Sequence, residues 1–542
     1  MSTSEGFMEE IDNWTFGISA AVVGLLLIWA IVDISGLASA INTAFNFVTN
    51  QLSWLYLFYV ALVLIFVLFF GFSRYGKLKL GEPDSEPELN TVSWFAILFG
   101  AGMGVGLVFW GAAQPIMIWN WPAKLFAGES LSDAAAIHAM QWSFFHWGFH
   151  PWALYSMWGA ILGYFSFRRG LPQLPSSTLY PILGKEGIKG PWGKAFDVVA
   201  VFATFFGLVT TLGLGSTQFT TGLSRLTNGA IGTGATTTAI LIVILTAIFV
   251  TAVISGIEKG ISLIGDINLY VALTLLAAVL ILGPTVFLLD LGAQVTGGYL
   301  NHIIEMTFYS SPIQGDSFVG AWTVFFWAWW IAWTPFVGGF IARISKGRRL
   351  REFVVGTLVV PTILSLIWFD FIGGAGIWMQ KFGGLNVVDP ICSDYTSSLF
   401  VVLGNIDEIP FFGLDLPGFI GTILVITGVF LVGTFFLTSA NGASWVLSQL
   451  TTGGKLDPSN KTKAFWGIGI GVIAIIFIFA GQAAETNPLE ALQTASIVGC
   501  LPFLLFTFAS MWSFIKEVPE DVDKLEEGEF IGKLEHDHKH GN

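Results

Sequence analysis

The sequence predicts an all-α polytopic membrane protein with about twelve transmembrane helices. Of the 542 residues, 54% are hydrophobic and only 11% are charged, and the mean hydropathy is +0.72. A soluble protein carries about a quarter charged residues. Apolar stretches of about 20 residues recur along the chain, and each is long enough to cross a bilayer core of about 30 Å. The chain is therefore expected to cross a membrane repeatedly.

Twelve apolar stretches can be counted, and we number them as spans 1 to 12. They are expected near residues 16–38, 52–72, 91–119, 138–166, 195–226, 236–256, 264–291, 317–341, 353–379, 412–446, 464–481 and 488–515. With a cytoplasmic N-terminus, the inner segments hold twenty-one Lys and Arg residues and the outer loops hold three. Because cytoplasmic loops are enriched in Lys and Arg, both termini are expected in the cytoplasm and the protein in the cell membrane, plasma or inner.

The spans and the charged segments divide the chain into five parts. Residues 1–90 are expected to hold a cytoplasmic N-terminus and two peripheral spans, residues 91–292 a first block of five helices, and residues 353–516 most of a second block. Residues 293–352 hold an outer loop, a broken span 8 that opens the second block, and a basic linker suited to anionic lipids. Residues 517–542 form an acidic cytoplasmic tail that is expected to be solvated. The net charge of −13 lies mostly at the ends, and no nucleic-acid partner is expected.

Two spans contain residues that disfavour a regular helix. Span 3 has glycine at positions 100, 102, 104 and 106, and span 8 contains the run Trp333-Thr-Pro-Phe-Val-Gly-Gly339. Glycine weakens a helix, and proline removes a backbone donor. Interrupted spans that open two blocks of opposite orientation indicate the central site of a transporter, because unwound backbone in a membrane is tolerated where it is packed in protein or lines a cavity. The alternative is that the glycines only allow close packing of helices.

Tryptophan is frequent, with 22 residues, and it clusters in spans 4 and 8. At about 100° per residue, three aromatic residues of each span fall on one side of their helix. These are Trp147, Trp152 and Tyr155 in span 4 and Trp329, Trp330 and Trp333 in span 8. A belt at the membrane interface is the alternative, but these rings lie in mid-span. Converging rings suit a quaternary ammonium, which has no N–H to donate and is attracted to ring faces by about 0.5–2 kcal/mol per ring.

Several motifs resemble the signature of the betaine/choline/carnitine transporter family. They are Gly102-Met-Gly-Val-Gly106, His146-Trp-Gly-Phe-His-Pro-Trp152, Leu212-Gly-Leu-Gly215, Trp322-Thr-Val-Phe-Phe-Trp-Ala-Trp-Trp330, Pro335-Phe-Val-Gly, Ala342-Arg-Ile-Ser-Lys-Gly-Arg and Arg351-Glu-Phe. Ala321 departs from the residues that the family usually has before the first Trp-Thr. The resemblance implies a leucine-transporter-like fold of two inverted five-helix repeats, two extra N-terminal helices and alternating access. Family members often form homotrimers.

The resemblance also implies which residues bind the substrate. The six rings of spans 4 and 8 would form an aromatic box, and the unwound backbone of Gly102, Met103 and Gly104 would meet the carboxylate of the ligand. Choline-transporting members tend to have an aspartate in the glycine stretch, where this chain has Gly106. Since a bare cation in a desolvated box would lack a counter-charge, a zwitterion such as glycine betaine is expected.

Sodium symport is the expected coupling, with sodium as the coupling ion and no other cofactor. The family's cation site between spans 3 and 10 corresponds here to the carbonyls of Ala101 and Met103 together with Phe435, Thr438 and Ser439. A second family site would use Thr204 and Phe336, although Leu208 replaces its other hydroxyl. Sodium-independent exchangers have a methionine where this chain has Val337. A sodium-independent betaine/carnitine exchanger and a choline importer are the alternatives.

Other classes of protein fit the sequence less well. A membrane enzyme would need a catalytic cluster, and the sequence offers no such set beyond His146 and His150, which are expected to be structural. No catalytic residue is therefore assigned. A channel would not need a closed aromatic box. Many family members respond to osmotic stress, some through a basic C-terminal helix, but the tail here is short and acidic, so that regulation is not expected.

Overall fold

The computed structural model describes residues 7–101, 104–126, 128–255, 258–410, 413–483 and 488–528, and this part of the chain is built from helices. The spans consist, in chain order, of Asn13–Val32, Ser53–Phe72, Thr91–Ala101 with Val105–Asn120, Asp133–Trp147 with Phe149–Gly163, Pro191–Leu226, Ala235–Ile254, Glu258–Leu282, Val319–Ile344, Leu350–Lys381, Phe419–Thr451, Asn460–Ala483 and Pro488–Gly499 with Leu501–Glu526. The connecting helices are Phe7–Glu10, Ile34–Gln51, Tyr180–Lys189, Thr285–Thr307, Val388–Ser393 and Ser398–Gly404.

The number of spans agrees with the sequence prediction. In the part of the chain that is described, ten helices are individually long and apolar enough to cross a membrane. An eleventh span consists of Thr91–Ala101 and Val105–Asn120, whose axes differ by 60°. Span 4 is divided as well, into two helices of 15 residues each that meet at Gly148. Together, the continuous and divided spans make up the twelve that the hydropathy predicts.

Two predicted span ends are displaced by residues that interrupt a helix. Span 1 ends at Val32 rather than near residue 38, because Asp33 leaves the helix and caps the next one by accepting the N–H of Gly36 at 2.8 Å. Span 7 ends at Leu282 rather than near residue 291, because Gly283 and Pro284 precede a separate helix, Thr285–Thr307. Proline lacks the N–H that a continuous helix needs.

The predicted inner segments contact one another at one end of the bundle, which we call the basic end. The loop after span 2 meets the loop after span 8, where the Gly347 N–H donates to the Leu80 carbonyl at 2.8 Å. The N-terminal segment meets span 10, where the Asp12 N–H donates to the Thr451 carbonyl at 2.8 Å. The carboxylate of Asp12 also pairs with Lys194, at the start of span 5.

The predicted outer loops meet at the opposite end. The N–H of Lys124, after span 3, donates to the carboxylate of Asp316, before span 8, at 2.7 Å. Lys381, at the end of span 9, pairs with Asp133 at the start of span 4. Alternate connections therefore lie at opposite ends of the bundle, as the predicted topology requires.

The packing of the spans follows the two predicted blocks. Span 3 packs against span 9, and its counterpart span 8 packs against span 4. Span 7 packs against span 10, and its counterpart span 12 packs against span 5. In the same way, span 6 packs against span 10, and its counterpart span 11 packs against span 5. Spans 3 to 7 of the first block correspond to spans 8 to 12 of the second. Each contact between the blocks therefore has a matching contact in which both spans are replaced by their counterparts. The contacts are those expected of two five-helix repeats, and the all-helical polytopic architecture confirms the predicted fold class.

Span 8 is less interrupted than the sequence predicts. After a π-helical turn at Val319–Val324, the α-helix Phe325–Ile344 runs through Pro335 without a break. Gly338 packs closely against span 4, since a Cβ on it would lie 2.7 Å from the ring of Trp158. Gly338 in this span therefore serves close helix packing, which was the alternative interpretation of the glycines.

The acidic segment after residue 517 is only partly solvated in its described part, whereas the whole segment was expected to be solvated. Span 12 continues as a helix to Glu526. Asp521 is fully buried and forms a bidentate ion pair with the buried Arg168, which also donates to the Gly81 carbonyl at 3.0 Å. The sequence pattern did not indicate this, because burial of a carboxylate depends on a compensating arginine from a distant part of the chain.

Candidate functional site

The glycine-rich part of span 3 separates its two helices. The first helix ends at Ala101 and the second begins at Val105. Gly102 and Met103, whose backbone is expected to meet the ligand, lie outside the described residues. Gly104 is extended, and a Cβ built on it would meet no atom within 4 Å. Close packing therefore does not explain the glycine at this position.

Span 4 breaks at Gly148, in the middle of its aromatic residues. Pro151 accounts for the position of the break, because a proline ring clashes with the carbonyl four residues earlier, here that of Trp147. The N–H of Phe149 is left without a helical acceptor, and it donates to the Tyr299 hydroxyl at 3.2 Å. The three predicted aromatic residues of span 4 consequently lie on both sides of the break.

The predicted aromatic residues of spans 4 and 8 form one buried group, which we call the aromatic cluster. Trp147 meets Trp330 edge to face with ring centroids 4.7 Å apart, and it meets Trp329 in the same way at 6.3 Å. Trp329 and Trp330 are stacked at 5.0 Å. Tyr155 lies 6.5 Å from Trp330 and 5.3 Å from Trp152, so that five rings are connected.

Trp333, the sixth predicted ring, is held beside Trp329 by a shared hydrogen-bond acceptor. The Thr211 hydroxyl in span 5 accepts the indole N–H of Trp329 at 3.0 Å and that of Trp333 at 3.1 Å. The Gly207 carbonyl lies 3.3 and 3.2 Å from the same two nitrogens. A side chain at Gly207 would crowd this contact, since its Cβ would lie 3.0 Å from the Trp333 ring. Span 5 therefore orients two of the indoles.

A buried chain of polar groups orients two more of the five indoles, those of Trp147 and Trp330. Trp147 donates to Oε1 of Gln114 at 2.8 Å, and the amide nitrogen of Gln114 lies 2.8 Å from Nδ1 of His146. Because an indole N–H can only donate, Gln114 presents its oxygen to Trp147 and its N–H to His146. His146 is therefore neutral with its proton on Nε2, which donates to the Thr323 hydroxyl at 3.1 Å. The His146 carbonyl accepts the indole N–H of Trp330 at 2.9 Å.

Gly106 allows rings from two spans to meet. A Cβ at this position would lie 2.7 Å from the Trp329 ring and 3.1 Å from the Trp147 ring. A side chain here would therefore have to displace one of the indoles. The position where choline-transporting family members tend to have an aspartate thus faces the aromatic cluster directly.

The residues expected to bind sodium on span 10 lie within about one helical turn. Phe435 is buried, and Thr438 and Ser439 are half-buried. The Thr438 hydroxyl donates to the carbonyls of Thr434 and Phe435, each at 3.2 Å, so its oxygen keeps a lone pair that a cation can use. Span 10 packs against the second helix of span 3.

The two residues of the second expected cation site have different surroundings. Thr204 is fully buried in span 5, and among the described residues its hydroxyl has no hydrogen-bond partner. Phe336 is half-buried, with its ring centroid 5.4 Å from that of Trp333. It also approaches span 10, because a Cβ on Gly442 would lie 2.8 Å from the Phe336 ring. The apolar Leu208 is buried one turn after Thr204.

Three residues that hold the cluster were not recognised from the sequence. Gln114 and Thr211 accept the indole N–H groups, and Phe369 packs against Trp147 with centroids 5.2 Å apart. A lone amide in an apolar span was an available signal for Gln114. Phe369 is one of 50 phenylalanines, and nothing in its local sequence distinguished it.

The surroundings of the aromatic cluster differ between the two ends of the bundle. Towards the outer end, Trp110 meets Trp322 with ring centroids 5.6 Å apart and stacks on Tyr395 at 5.8 Å. Towards the basic end, Pro335 and Phe336 line a cavity of about 520 Å³. Packed rings thus fill the outer side of the cluster, whereas a cavity adjoins its basic side.

A polytopic helical bundle with a divided span beside a buried group of aromatic side chains is typical of a membrane transporter. The family described as BCCT, the betaine/carnitine/choline family transporter, matches residues 14–523. The chain therefore belongs to this family, whose members are transporters and catalyse no chemical reaction.

Three relatives are similar over most of the chain. A protein named "Probable glycine betaine transporter" from Desulfitobacterium hafniense (strain Y51) is 39% identical over 514 residues, which cover 95% of this chain and 99% of the relative. The glycine betaine transporter OpuD of Bacillus subtilis (strain 168) is 38% identical over 516 residues, 94% of this chain and 96% of the relative. The osmo-dependent choline transporter BetT2 of Acinetobacter baylyi (strain ATCC 33305 / BD413 / ADP1) is 35% identical over 516 residues, 94% of this chain and 72% of the relative.

Proposed function

We propose that this protein is a secondary active transporter that imports a quaternary-ammonium zwitterion, glycine betaine or a similar compound, by sodium symport with alternating access. The names of the two relatives that are 38% and 39% identical over nearly their full lengths support this substrate class. In the proposed arrangement the basic end and both termini face the cytoplasm, in the cell membrane, with the basic linker on anionic lipids. The assembly is proposed to be a homotrimer, as in other family members.

The observation that carries the proposal is the orientation of four of the five indoles in the aromatic cluster. Each of the indole N–H groups of Trp147, Trp329, Trp330 and Trp333 donates to an acceptor within the protein. These four rings consequently offer a ligand their faces and no indole donor. A quaternary ammonium needs neither a donor nor an acceptor, and each ring face attracts it by about 0.5–2 kcal/mol.

The polar partners of these indoles support a zwitterion rather than a bare cation. They are an amide, a hydroxyl and two backbone carbonyls, and none is acidic. A bare cation in such surroundings would lack a counter-charge, which is unfavourable in a membrane interior. Glycine betaine brings its own carboxylate. The glycine at position 106, against the rings of Trp329 and Trp147, agrees with this choice.

Sodium coupling and alternating access rest on separate observations. Thr438 and Ser439 supply hydroxyl oxygens, which are ligands that hard cations prefer. The packed rings on the outer side and the cavity on the basic side support a transport cycle in which access to the cluster alternates between the two ends. A sodium-independent exchanger would keep the same aromatic cluster but would not respond to sodium.

Uptake into proteoliposomes tests the proposal. Labelled glycine betaine, carnitine and choline would be offered to the purified protein with an inward sodium gradient, with potassium in its place, and with unlabelled substrate inside. We expect saturable betaine uptake that depends on sodium. Uptake that potassium supports equally would refute symport, and uptake that requires internal substrate would identify an exchanger. Tighter binding of choline than of betaine would refute the zwitterion.

Two variants connect the assay to the aromatic cluster. Trp330→Ala removes a ring from the centre of the cluster and is expected to abolish most betaine uptake. Trp192→Ala is the matched control, because Trp192 is 68% exposed and lies at the start of span 5. Equal uptake by the two variants would contradict the placement of the site.

A further inference from the structure

The helix Thr285–Thr307, which we call the outer helix, follows span 7 and connects the two blocks at the outer end of the bundle. Among the described elements it packs mainly on the first helix of span 4 and on span 9, besides span 7 itself. Its polar contacts with span 4 lie before the break at Gly148, at the break and after it. The outer helix therefore reaches both halves of the divided span.

On the first half of span 4, Asp133–Trp147, the outer helix contacts Gln141. Nδ1 of His302 lies 3.3 Å from Oε1 of Gln141, and because an amide oxygen can only accept, His302 is the donor. Gly298 lies one turn before His302, and a Cβ built on it would collide with the amide group of Gln141. The glycine therefore allows the outer helix to lie close against the first half.

At the break, Tyr299 of the outer helix supplies the missing acceptor. Its side chain is fully buried, and its hydroxyl accepts the N–H of Phe149 at 3.2 Å. The rings of Tyr299 and Phe149 are stacked with centroids 6.1 Å apart. A Cβ on Gly148 would lie 2.7 Å from the Tyr299 hydroxyl oxygen, so this approach requires a glycine at the break. The hydroxyl thus takes the place of the carbonyl that a continuous helix would offer.

The second half of span 4, Phe149–Gly163, is tied to the last residue of the outer helix. The Thr307 hydroxyl donates to the Ile303 carbonyl at 2.6 Å, so towards Nε2 of His150, 2.8 Å away, it is the acceptor. His150 is fully buried and lies in the first turn of the second half. The outer helix consequently holds the second half by a residue next to the break.

These contacts make the outer helix a splint across the break in span 4. At Gly148 the backbone leaves the helical conformation, with φ −92° and ψ −129°, so helical hydrogen bonds do not fix the angle between the two halves. Trp147 belongs to the first half, whereas Trp152 and Tyr155 belong to the second. The angle between the halves therefore sets the spacing of these rings in the aromatic cluster.

We propose that Tyr299 and Thr307 are positioning residues for the substrate site. They hold the two halves of span 4 at the angle that brings Trp147 and the rings of the second half to the same ligand. Both act through span 4 and not by touching the ligand. The identity of the ligand rests on the function proposed above, but the positioning applies to whichever methylated ammonium compound the cluster binds.

Isothermal titration calorimetry of the purified full-length protein with glycine betaine, carnitine and choline tests this role. Tyr299→Phe and Thr307→Val each remove one acceptor and keep the shape of the side chain. Each should raise the Kd of the bound compound by about 2- to 10-fold, as the loss of a neutral hydrogen bond implies. Thr307→Ser, which keeps the hydroxyl, should bind like the wild type. Tyr270→Phe and Thr274→Val are the matched controls, because both residues are exposed on span 7 and the Thr274 hydroxyl bonds only within its own helix.

A variant at the opposite end of the bundle distinguishes positioning from a general loss of stability. Asp521→Asn breaks the buried ion pair with Arg168 at the basic end. Measured below its thermal midpoint, this variant should bind betaine like the wild type. A Kd that rises as much in Asp521→Asn as in Tyr299→Phe would show that stability alone is responsible, and would overturn the inference.

The variant Trp330→Ala separates this inference from the proposed function. If it abolishes betaine binding while Tyr299→Phe and Thr307→Val bind like the wild type, the proposed function stands and the positioning role is overturned. If choline binds in place of betaine and the two variants weaken choline by the expected factor, the positioning role stands and the zwitterion is refuted.

Discussion

The hydrogen bond from Trp147 to Gln114 makes the central site testable without changing an aromatic ring. The substitution Gln114→Leu keeps a side chain of similar size and removes the only hydrogen-bond acceptor of the Trp147 indole that the structure describes. It also removes the N–H that faces Nδ1 of His146. We expect the variant to bind glycine betaine more weakly, although Gln114 is not expected to contact the ligand.

The size of this effect follows from the environment of the two residues. Gln114 is fully buried and Trp147 is 6% exposed, so an unpaired indole N–H cannot turn to water in its present position. Leaving such a group unpaired costs about 1–3 kcal/mol, which is enough to favour a different orientation of the ring. A displaced ring forfeits its share of the cation–π attraction, about 0.5–2 kcal/mol, so the Kd for betaine should rise about 2- to 30-fold.

Isothermal titration calorimetry on the purified variant measures this Kd. Thr323→Val is the matched control, because it removes the acceptor of His146 Nε2 at the far end of the same chain of hydrogen bonds and leaves Trp147 paired. Its Kd should rise less than that of Gln114→Leu. A Gln114→Leu protein that is folded, as judged by a cooperative thermal transition, and binds betaine like the wild type would refute the argument that this bond positions the ring.

Four further predictions follow from the same contacts. Gly106→Asp should lower betaine uptake and raise choline uptake, because its carboxylate would reach the Trp329 and Trp147 rings. Gly106→Ala should lower betaine uptake without raising choline uptake. Equal choline uptake by the two variants would contradict this prediction. Asp521→Asn should lower the free energy of unfolding by about 3–5 kcal/mol, since it removes the charge that pairs with the buried Arg168. Arg74→Ala, which breaks an exposed pair with Asp523, should lower it far less. Denaturant unfolding followed by circular dichroism compares the two variants. Thr438→Val should raise the sodium concentration needed for half-maximal uptake, and an unchanged sodium dependence would remove Thr438 from the cation site. Burial disfavours the charged form of Glu10, but hydrogen bonds from Ser459 and Thr462 outweigh this effect and lower the pKa of the carboxyl from 4.5. Its contribution to stability is therefore complete above pH 4.5 and is lost as the pH falls through the lowered pKa. Glu10→Gln should reduce the dependence of the thermal midpoint on pH below pH 4.5 and leave that dependence unchanged above it.

The transmembrane architecture could be predicted because it depends on local composition. A stretch of about 20 apolar residues must cross the bilayer as a helix, whatever its neighbours are, since backbone groups cannot remain unpaired in lipid. The twelve spans and the division of span 3 were therefore accessible from the sequence. The aromatic residues of the cluster were accessible too, because helical periodicity places Trp329, Trp330 and Trp333 on one side of span 8.

The groups that orient those rings were not accessible, because they come from distant parts of the chain. Gln114 lies 33 residues from Trp147, and Thr211 lies 118 residues from Trp329. The same holds for Asp521, which reads as part of an acidic tail until Arg168, 353 residues away, is placed beside it.

The sequence by itself thus determined that the protein spans the membrane, belongs to a class of transporters and carries a set of rings suited to a methylated cation. The tertiary structure alone decided which acceptors the indole N–H groups of Trp147, Trp329, Trp330 and Trp333 use, and that a cavity lies on the basic side of the cluster. It also decided that span 4 breaks at Gly148 while span 8 continues through Pro335. The physical reason is that hydropathy and periodicity act over one helix, whereas hydrogen-bond partners and cavities exist only where several helices meet.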